Sequence, residues 1–83
     1  MEETNYLDII EGMLYLAGDD GVDTKQIASV LEISRKDAVL LMDKFVESYE
    51  KKAIKGVILV NFGGRYKLAT NSEYFAYYQK MVE

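Results

Sequence analysis

One hairpin-forming segment near the end of this 83-residue chain most constrains its fold. Residues 57–70, VILVNFGGRYKLAT, hold two strand-like runs separated by Gly63 and Gly64. A two-residue type I′ turn needs positive φ at both central positions, and glycine adopts such angles without steric cost. Such a turn also fixes how the two strands pair. The predicted pairs are Asn61 with Tyr66, Leu59 with Leu68 and Val57 with Thr70, and the predicted buried face holds Val57, Leu59, Tyr66 and Leu68.

Three amphipathic segments precede the hairpin. The first is predicted as a helix over residues 5–17 that ends at Gly18, because its apolar residues recur at the spacing of one helical face. The second opens at Asp23, where Gln26 completes a capping-box pattern, and the third opens at the N-cap Ser34. The core residues predicted on these helices are Leu7, Ile10, Leu14, Ala17, Ile27, Ala28, Leu31, Ala38, Leu41, Met42, Phe45 and Tyr49, with Ile33 in the corner between the second and third.

A last helix with an aromatic cluster follows the hairpin, and Asn71 or Ser72 is predicted to cap it. Its apolar and aromatic residues are Tyr74, Phe75, Tyr77, Tyr78, Met81 and Val82. Three short helices, a two-strand wing hairpin and a C-terminal helix predict a mostly α (α+β) fold of the winged helix-turn-helix type. We expect one domain, residues 1–83, that buries roughly 60% of the surface its unfolded chain exposes. A permanent partner would therefore add much of its stability.

The charges argue against the DNA binding that a winged helix suggests. The third helix, from Arg35 to about Tyr49, is the one that would enter a major groove. Its basic residues are Arg35, Lys36 and Lys44, against the acidic Asp37, Asp43, Glu47 and Glu50 in it or beside it. Phosphate neutralisation supplies most non-specific DNA affinity, so direct nucleic-acid binding is not expected. The alternative function is a winged-helix DNA-binding protein that contacts the phosphate backbone through a basic wing, with cations from Lys51, Lys52, Lys55, Arg65 and Lys67.

The net charge of −4 is unevenly distributed along the chain. Residues 1–34 carry eight acidic side chains and one Lys, a net charge of −7, whereas residues 35–83 carry nine basic and six acidic side chains, a net charge of +3. These unlike halves could pair between two copies or with a partner of mixed charge, or they could form an unevenly charged, solvated surface. The sequence leaves both readings open.

The sequence offers no group suited to catalysis or metal binding. It has no His and no Cys, which removes the commonest general base, the thiol nucleophile and the thiolate ligand. The acidic turn with Asp19, Asp20 and Asp23 lacks the spacing and the final bidentate Glu of an EF-hand. We therefore predict no enzyme activity, catalytic residue, cofactor, metal site or small-molecule substrate. No charge-free run approaches the ~18 residues of a spanning helix, and the acidic start is unlike a signal peptide, which predicts a cytoplasmic protein.

Two surfaces carry more apolar side chains than a solvated domain needs. On the first helix, Ile9, Gly12, Met13 and Leu16 lie beside the core face and are interpreted as a self-association surface. A helical glycine costs about 1 kcal/mol relative to Ala, and close approach of another backbone is one reason to keep it. The alternative is a first helix that is buried nearly all round.

The second surface is the outer face of the hairpin, where Ile58, Val60 and Phe62 lie beside Arg65 and Lys67. We interpret it as a partner surface, together with Tyr78 of the aromatic cluster. The alternative is that the last helix folds back over this face through Phe75, Tyr78 and Met81.

Three segments together resemble the N-terminal winged-helix domain of the bacterial segregation and condensation protein ScpB. They are IIEGMLYLAGDDGVD at 9–23, TKQIASVLEIS at 24–34 and GVILVNFGGRYKLATNSEYFAYYQKMV at 56–82. The most specific elements are Glu11, the run Met13, Leu14, Tyr15, then Gly18, Tyr66, Leu68, Thr70 and Tyr77. The chain departs from the family by Gly12 where Ala is frequent, by Ala76 where Pro is frequent, and by ending at Glu83, where the family continues into a second winged-helix domain.

The resemblance implies a non-enzymatic subunit of the Smc–kleisin condensin complex, which acts in chromosome condensation and segregation. Its implied partners are a second copy of itself, through the N-terminal domain, and the kleisin ScpA, which links it to Smc. The implied location is the cytoplasm, in association with the nucleoid. We expect the chain to be the N-terminal part of a two-domain protein.

Overall fold

The computed structural model describes residues 3–82, with side chains from residue 5 onward. The helices are α1 (Glu3–Ala17), α2 (Thr24–Leu31), α3 (Arg35–Lys51) and α4 (Phe75–Val82), and the strands are β1 (Val22–Asp23), β2 (Val57–Phe62) and β3 (Arg65–Thr70). Single 3-10 turns occupy Gly18–Asp20 and Ser72–Tyr74. The predicted fold class is confirmed, because three helices precede a wing hairpin and a fourth helix follows it.

The sheet contains the predicted hairpin and one strand that the sequence did not predict. Gly63 and Gly64 have φ angles of 56° and 81°, as a type I′ turn requires. Strands β2 and β3 pair in the predicted register, with Leu59 opposite Leu68. The two-residue strand β1 joins the other side of β3, where Val22 lies opposite Tyr66. A strand of two residues is too short to show an alternating pattern in the sequence, so only its pairing with β3 reveals β1.

Local side-chain chemistry sets the helix boundaries as predicted. The Asp23 carboxylate accepts from the Gln26 N–H at 2.8 Å, and the Gln26 side chain accepts from the Asp23 N–H at 3.0 Å. The Ser34 hydroxyl accepts from the Asp37 N–H at 3.0 Å at the start of α3. These caps satisfy backbone donors that a helix N-terminus leaves unpaired.

A compact core lies between α1, α2, α3 and the sheet. Its buried side chains are Ile10, Leu14, Val22, Ile27, Ala28, Ala38, Leu41, Met42 and Phe45, and partly buried residues such as Leu7, Ala17, Leu31, Ile33 and Tyr49 pack against them. The predicted core is therefore confirmed for the helices. The prediction that Val57 is buried is wrong, because its side chain is 40% exposed. α1 packs on β3 and α3 packs on β2, and Val57 lines a groove between them.

Asn71 connects the end of β3 to the segment before β2. Its N–H donates to the Gly56 carbonyl at 2.9 Å and its side-chain amide donates to the Lys55 carbonyl at 2.9 Å. Its side-chain oxygen accepts from the Glu73 N–H at 3.0 Å, so Asn71, and not Ser72, caps the turn that precedes α4. One side chain thus closes the open end of the hairpin and starts the last helical segment.

Arg65 attaches the wing to the loop between α1 and α2. Its Nε donates to the Asp20 carbonyl at 2.8 Å and its Nη2 donates to the Gly21 carbonyl at 3.1 Å. Its Nη1 lies 3.4 Å from the Asp23 carboxylate. A planar guanidinium can satisfy these acceptors together, which an ammonium group cannot. We name this arrangement the Arg65 clasp.

Replacing Gly21 by Ala is expected to destabilise the domain. Gly21 has φ 72° and ψ −177°, a region essentially restricted to glycine, and an added Cβ would lie 2.7 Å from the Tyr66 carbonyl oxygen. Backbone strain alone should lower the free energy of unfolding by about 1–3 kcal/mol, measured by urea unfolding. The control, Gly18→Ala, adds the same methyl group at another glycine of this loop with a positive φ, 57°, where nothing lies within 4 Å, and it should lower the free energy of unfolding less because it lacks the contact. Equal stabilities would contradict the prediction.

Replacing Arg65 by Lys is expected to loosen the wing. Lys keeps the charge but cannot donate to both loop carbonyls, so the free energy of unfolding should fall by about 1–2 kcal/mol. The control is Lys67→Gln, which removes the 3.8 Å ion pair between Lys67 and the fully exposed Asp19. This change should lower the free energy of unfolding by less than about 0.5 kcal/mol. Urea unfolding of both variants compares the two effects, and a similar loss in both would show that the clasp has no special role.

Candidate protein–protein interface

The cations predicted for a DNA-binding wing do not form one free basic surface. Arg65 is held in its clasp, and the Lys67 ammonium lies 3.8 Å from the Asp19 carboxylate and 5.3 Å from the centre of the Phe62 ring. The Lys52 ammonium lies 4.0 Å above the Tyr49 ring, at the end of α3. These contacts remove the main support for backbone contact with DNA through the wing.

Lys51 is likewise paired, with Glu47 one helical turn earlier. Its ammonium lies 2.8 Å from the Glu47 carboxylate. The hydrogen bond and charge of Lys51 lower the pKa of Glu47, and the same contact raises the pKa of Lys51. Both side chains are exposed, so this pair belongs to the solvated face of α3 and adds little stability. A cation in the last turn also complements the helix dipole.

The outer face of the wing is partly covered by a loop. Ile58 and Val60 are half-buried and Phe62 is 39% exposed. Two Phe62 ring carbons lie 3.3 Å from the position that a Cβ on Gly21 would take, so the α1–α2 loop packs against this ring.

The alternative prediction, that α4 folds over this face, is wrong. Phe75 and Met81 remain exposed, Met81 by 87%. The half-buried Tyr78 donates its hydroxyl hydrogen to the Gly56 carbonyl at 3.3 Å, at the start of β2. α4 is therefore held near the open end of the hairpin, away from Phe62.

The surface of α1 divides into buried, half-buried and exposed positions. Ile9 and Met13 are half-buried, and Met13 packs against the core. Gly12 is exposed, and Leu16 is exposed by 84%. The alternative of a helix buried nearly all round is wrong, because Tyr15 is also 77% exposed. Of the four predicted residues, the structure places Gly12 and Leu16 at the surface.

A groove runs between α1 and the end of α3, above the start of the hairpin. We name it the α1 groove, and it has a volume of about 510 Å³. Its lining residues are Asp8, Glu11, Gly12, Tyr15, Tyr49, Lys52, Val57 and Leu68. A second groove of about 570 Å³ lies between α3 and β2 and shares Tyr49, Lys52 and Val57 with the first. An apolar floor with charges along its edges is the arrangement of a protein-binding surface.

Sequence reasoning missed Tyr15 and Val57 as surface residues of this groove. Val57 follows the core periodicity of its strand, so pattern alone places it inside. The signal for Tyr15 was available, because Asp8, Glu11 and Tyr15 share one helical stripe on which an aromatic follows two acids.

Two further classes of site are absent from residues 3–82. Within that range no group of three His, Cys, Asp or Glu side chains is placed to hold a metal ion. Nor does any helix described there have the length and apolar character needed to cross a membrane.

Comparison with known proteins gives consistent matches. The family model of the segregation and condensation complex subunit ScpB matches residues 8–83. The segregation and condensation protein B of Bacillus cereus (strain AH187) is 35% identical over all 83 residues, and that of Bacillus thuringiensis (strain Al Hakam) is 36% identical. In both cases the match covers the whole of this chain and 43% of the relative, so the chain spans less than half their length.

Two solved structures share the fold. A crystal structure of a dimer of the ScpB N-terminal domain complexed with a ScpA peptide superposes with a TM-score of 0.83 at 33% identity, covering 94% of this chain and 95% of that one. ScpB from Mycobacterium tuberculosis superposes with a TM-score of 0.82 over 99% of this chain and 50% of that one, and at 15% identity this match supports the fold alone. With a family model matched over residues 8–83, the chain belongs to the ScpB family of segregation and condensation complex subunits.

Proposed function

We propose that this chain is a non-enzymatic assembly module that forms a homodimer and binds the kleisin ScpA. Through ScpA it would join the Smc complex that condenses and segregates the chromosome. The observation that carries the proposal is the match to a ScpB N-terminal domain solved as a dimer with a ScpA peptide, which covers both chains nearly end to end. The match to a solved ScpB N-terminal domain, 95% of which is covered, supports residues 1–83 as a domain of this N-terminal type, and we place its action in the cytoplasm, where the chromosome lies.

The surface chemistry supports association with proteins. Tyr15 and Leu16 on α1 and Ile54 before the hairpin expose more than three quarters of their side chains. A small domain that leaves large apolar side chains in water gains stability when a partner covers them. The two candidate surfaces are the exposed side of α1, at Gly12 and Leu16 beside Ile9 and Met13, and the outer face of the wing, at Ile58, Val60 and Phe62 with Tyr78 nearby.

The DNA-binding alternative has less support. Arg65, the arginine of the wing, donates to backbone carbonyls at 2.8 and 3.1 Å, so it would have to leave the clasp to reach a phosphate. Phosphate contacts would also make binding fall steeply with salt, whereas an apolar protein interface resists salt.

The solution mass tests the proposed homodimer. We expect multi-angle light scattering to give twice the mass of one chain at micromolar concentration, both at low and at high salt, because apolar contacts are not screened. Addition of the ScpA peptide should then give a complex of higher mass. A single-chain mass at every concentration would overturn the homodimer, and tight, salt-sensitive binding of duplex DNA would favour the alternative.

Two substitutions separate the candidate surfaces. Leu16→Glu and Phe62→Glu each place a charge on one of them, and the one that lies in the dimer interface should raise the dissociation constant at least about tenfold, or about 1.4 kcal/mol. Leu40→Glu is the matched control, because Leu40 is also an exposed helical leucine but lies on α3. Light scattering over a concentration series measures the three constants. If both test variants dimerise like the control, neither surface forms the dimer.

A further inference from the structure

The two walls of the α1 groove carry opposite charges. Asp8 and Glu11 stand on the α1 wall, and both side chains are exposed. Lys52 stands on the opposite wall, with Lys55 beyond it in the second groove. Asp43 and Glu50 also line that second groove, so its four charged residues have no net charge. The opposition of charge is therefore confined to the α1 groove itself, with two carboxylates on the α1 wall and the Lys52 ammonium on the other.

The centre between these walls is apolar and open. Tyr15 and Val57 are exposed there, and Tyr49 and Leu68 form the floor. Gly12 lines the groove from the α1 wall, and no other part of the chain comes within 4 Å of the position of its Cβ. The backbone of α1 is thus open to close approach by a partner at this position.

Such a surface is complementary to a copy of itself. A two-fold axis that runs along the groove places the acidic wall of each copy against the basic wall of the other, and the apolar centres against one another. Both contacts are attractive, because the rotation exchanges the two walls. By contrast, the outer face of the wing presents only the cations Arg65 and Lys67, and their acidic partners Asp23 and Asp19 belong to the same chain.

We propose that two copies of this chain meet across the α1 groove, with Asp8 and Glu11 of each copy facing Lys52 and Lys55 of the other. The proposal rests on the proposed homodimer and names the surface that forms it. Gly12, Tyr15 and Val57 supply the apolar contact. The charged walls set the orientation of the two copies and speed their encounter, whereas the apolar centre holds the dimer at high salt.

Reciprocal charge reversal tests the arrangement. The acidic-wall variant carries Asp8→Lys and Glu11→Lys, so that both of its walls are basic. The basic-wall variant carries Lys52→Glu and Lys55→Glu, so that both of its walls are acidic. Each variant alone should dimerise at least about tenfold more weakly than the unmodified chain, because both contacts become repulsive. An equimolar mixture should form a heterodimer, because both contacts are then attractive, and native mass spectrometry distinguishes it from the homodimers by mass.

Matched controls repeat the charge changes away from the groove. Glu32→Lys with Asp37→Lys, and Lys25→Glu with Lys36→Glu, alter exposed side chains near the helix-turn-helix corner. Both control variants should dimerise like the unmodified chain. Far-UV circular dichroism verifies that every variant is folded before its mass is compared.

A cross-linking measurement tests the same interface without changing any charged residue. The chain has no cysteine, so Gly12→Cys introduces a single thiol on the α1 wall of the groove. A short bis-maleimide should join two copies of this variant, whereas Ser29→Cys on the exposed side of α2 should stay uncross-linked.

The outcomes separate this inference from the proposed function. An unmodified dimer whose charge-reversed variants still form homodimers, or whose mixture gives no heterodimer, would overturn the groove as the interface and leave the homodimer standing. Failure of Gly12→Cys to cross-link in an intact dimer would do the same. An unmodified chain that stays monomeric at every concentration would overturn the homodimer itself, and the inference with it.

Discussion

The arrangement of this domain depends on how one arginine joins two distant parts of the chain. The Arg65 guanidinium bonds to carbonyl groups of Asp20 and Gly21, 45 and 44 positions earlier in the sequence. Those carbonyls can converge because Gly21 adopts a conformation that other residues reach only with strain. The short strand β1 begins directly after this loop and pairs with β3. The clasp, the glycine and the third strand therefore support one another.

This attachment decides what the wing can do. A wing that reads DNA needs free cations at its tip, but here the arginine beside the turn is committed to the α1–α2 loop and Lys67 lies near Asp19. The wing is a fixed wall of the domain, and Phe62 packs against the same loop. The fold is shared with DNA-binding proteins, yet the function follows from the surface, which is apolar and mixed in charge.

The α1 groove lies on the face of the sheet that α1 and α3 cover. α1 covers β3 and α3 covers β2, and neither reaches fully over the first residue of β2. The side chains that line the opening come from four elements of the chain, and acids and bases fall on different walls. Two carboxylates of α1 thus face a lysine at the end of α3 across an apolar floor.

The sequence by itself determined everything that depends on neighbours a few residues apart. Helix starts at Asp23 and Ser34, the glycine turn, the register of the hairpin and the helical core positions all follow from interactions within about one turn of helix or one tight turn. Family membership also follows, because the segments that carry the resemblance span nearly the whole chain.

Only the tertiary structure decided which side chains remain in water and which distant groups meet. Val57 has the alternation of a buried strand residue, but burial depends on whether a helix lies above it. Arg65 has a side chain that commonly binds phosphate, but its partners here are carbonyl groups more than 40 positions earlier in the sequence. Met13 and Leu16 both lie beside the core face of α1, but only the packing of α1 shows that Met13 contacts the core and Leu16 stays exposed. Periodicity shows which residues share one face of a helix or strand, whereas the packing of helices and strands against one another determines which face is covered.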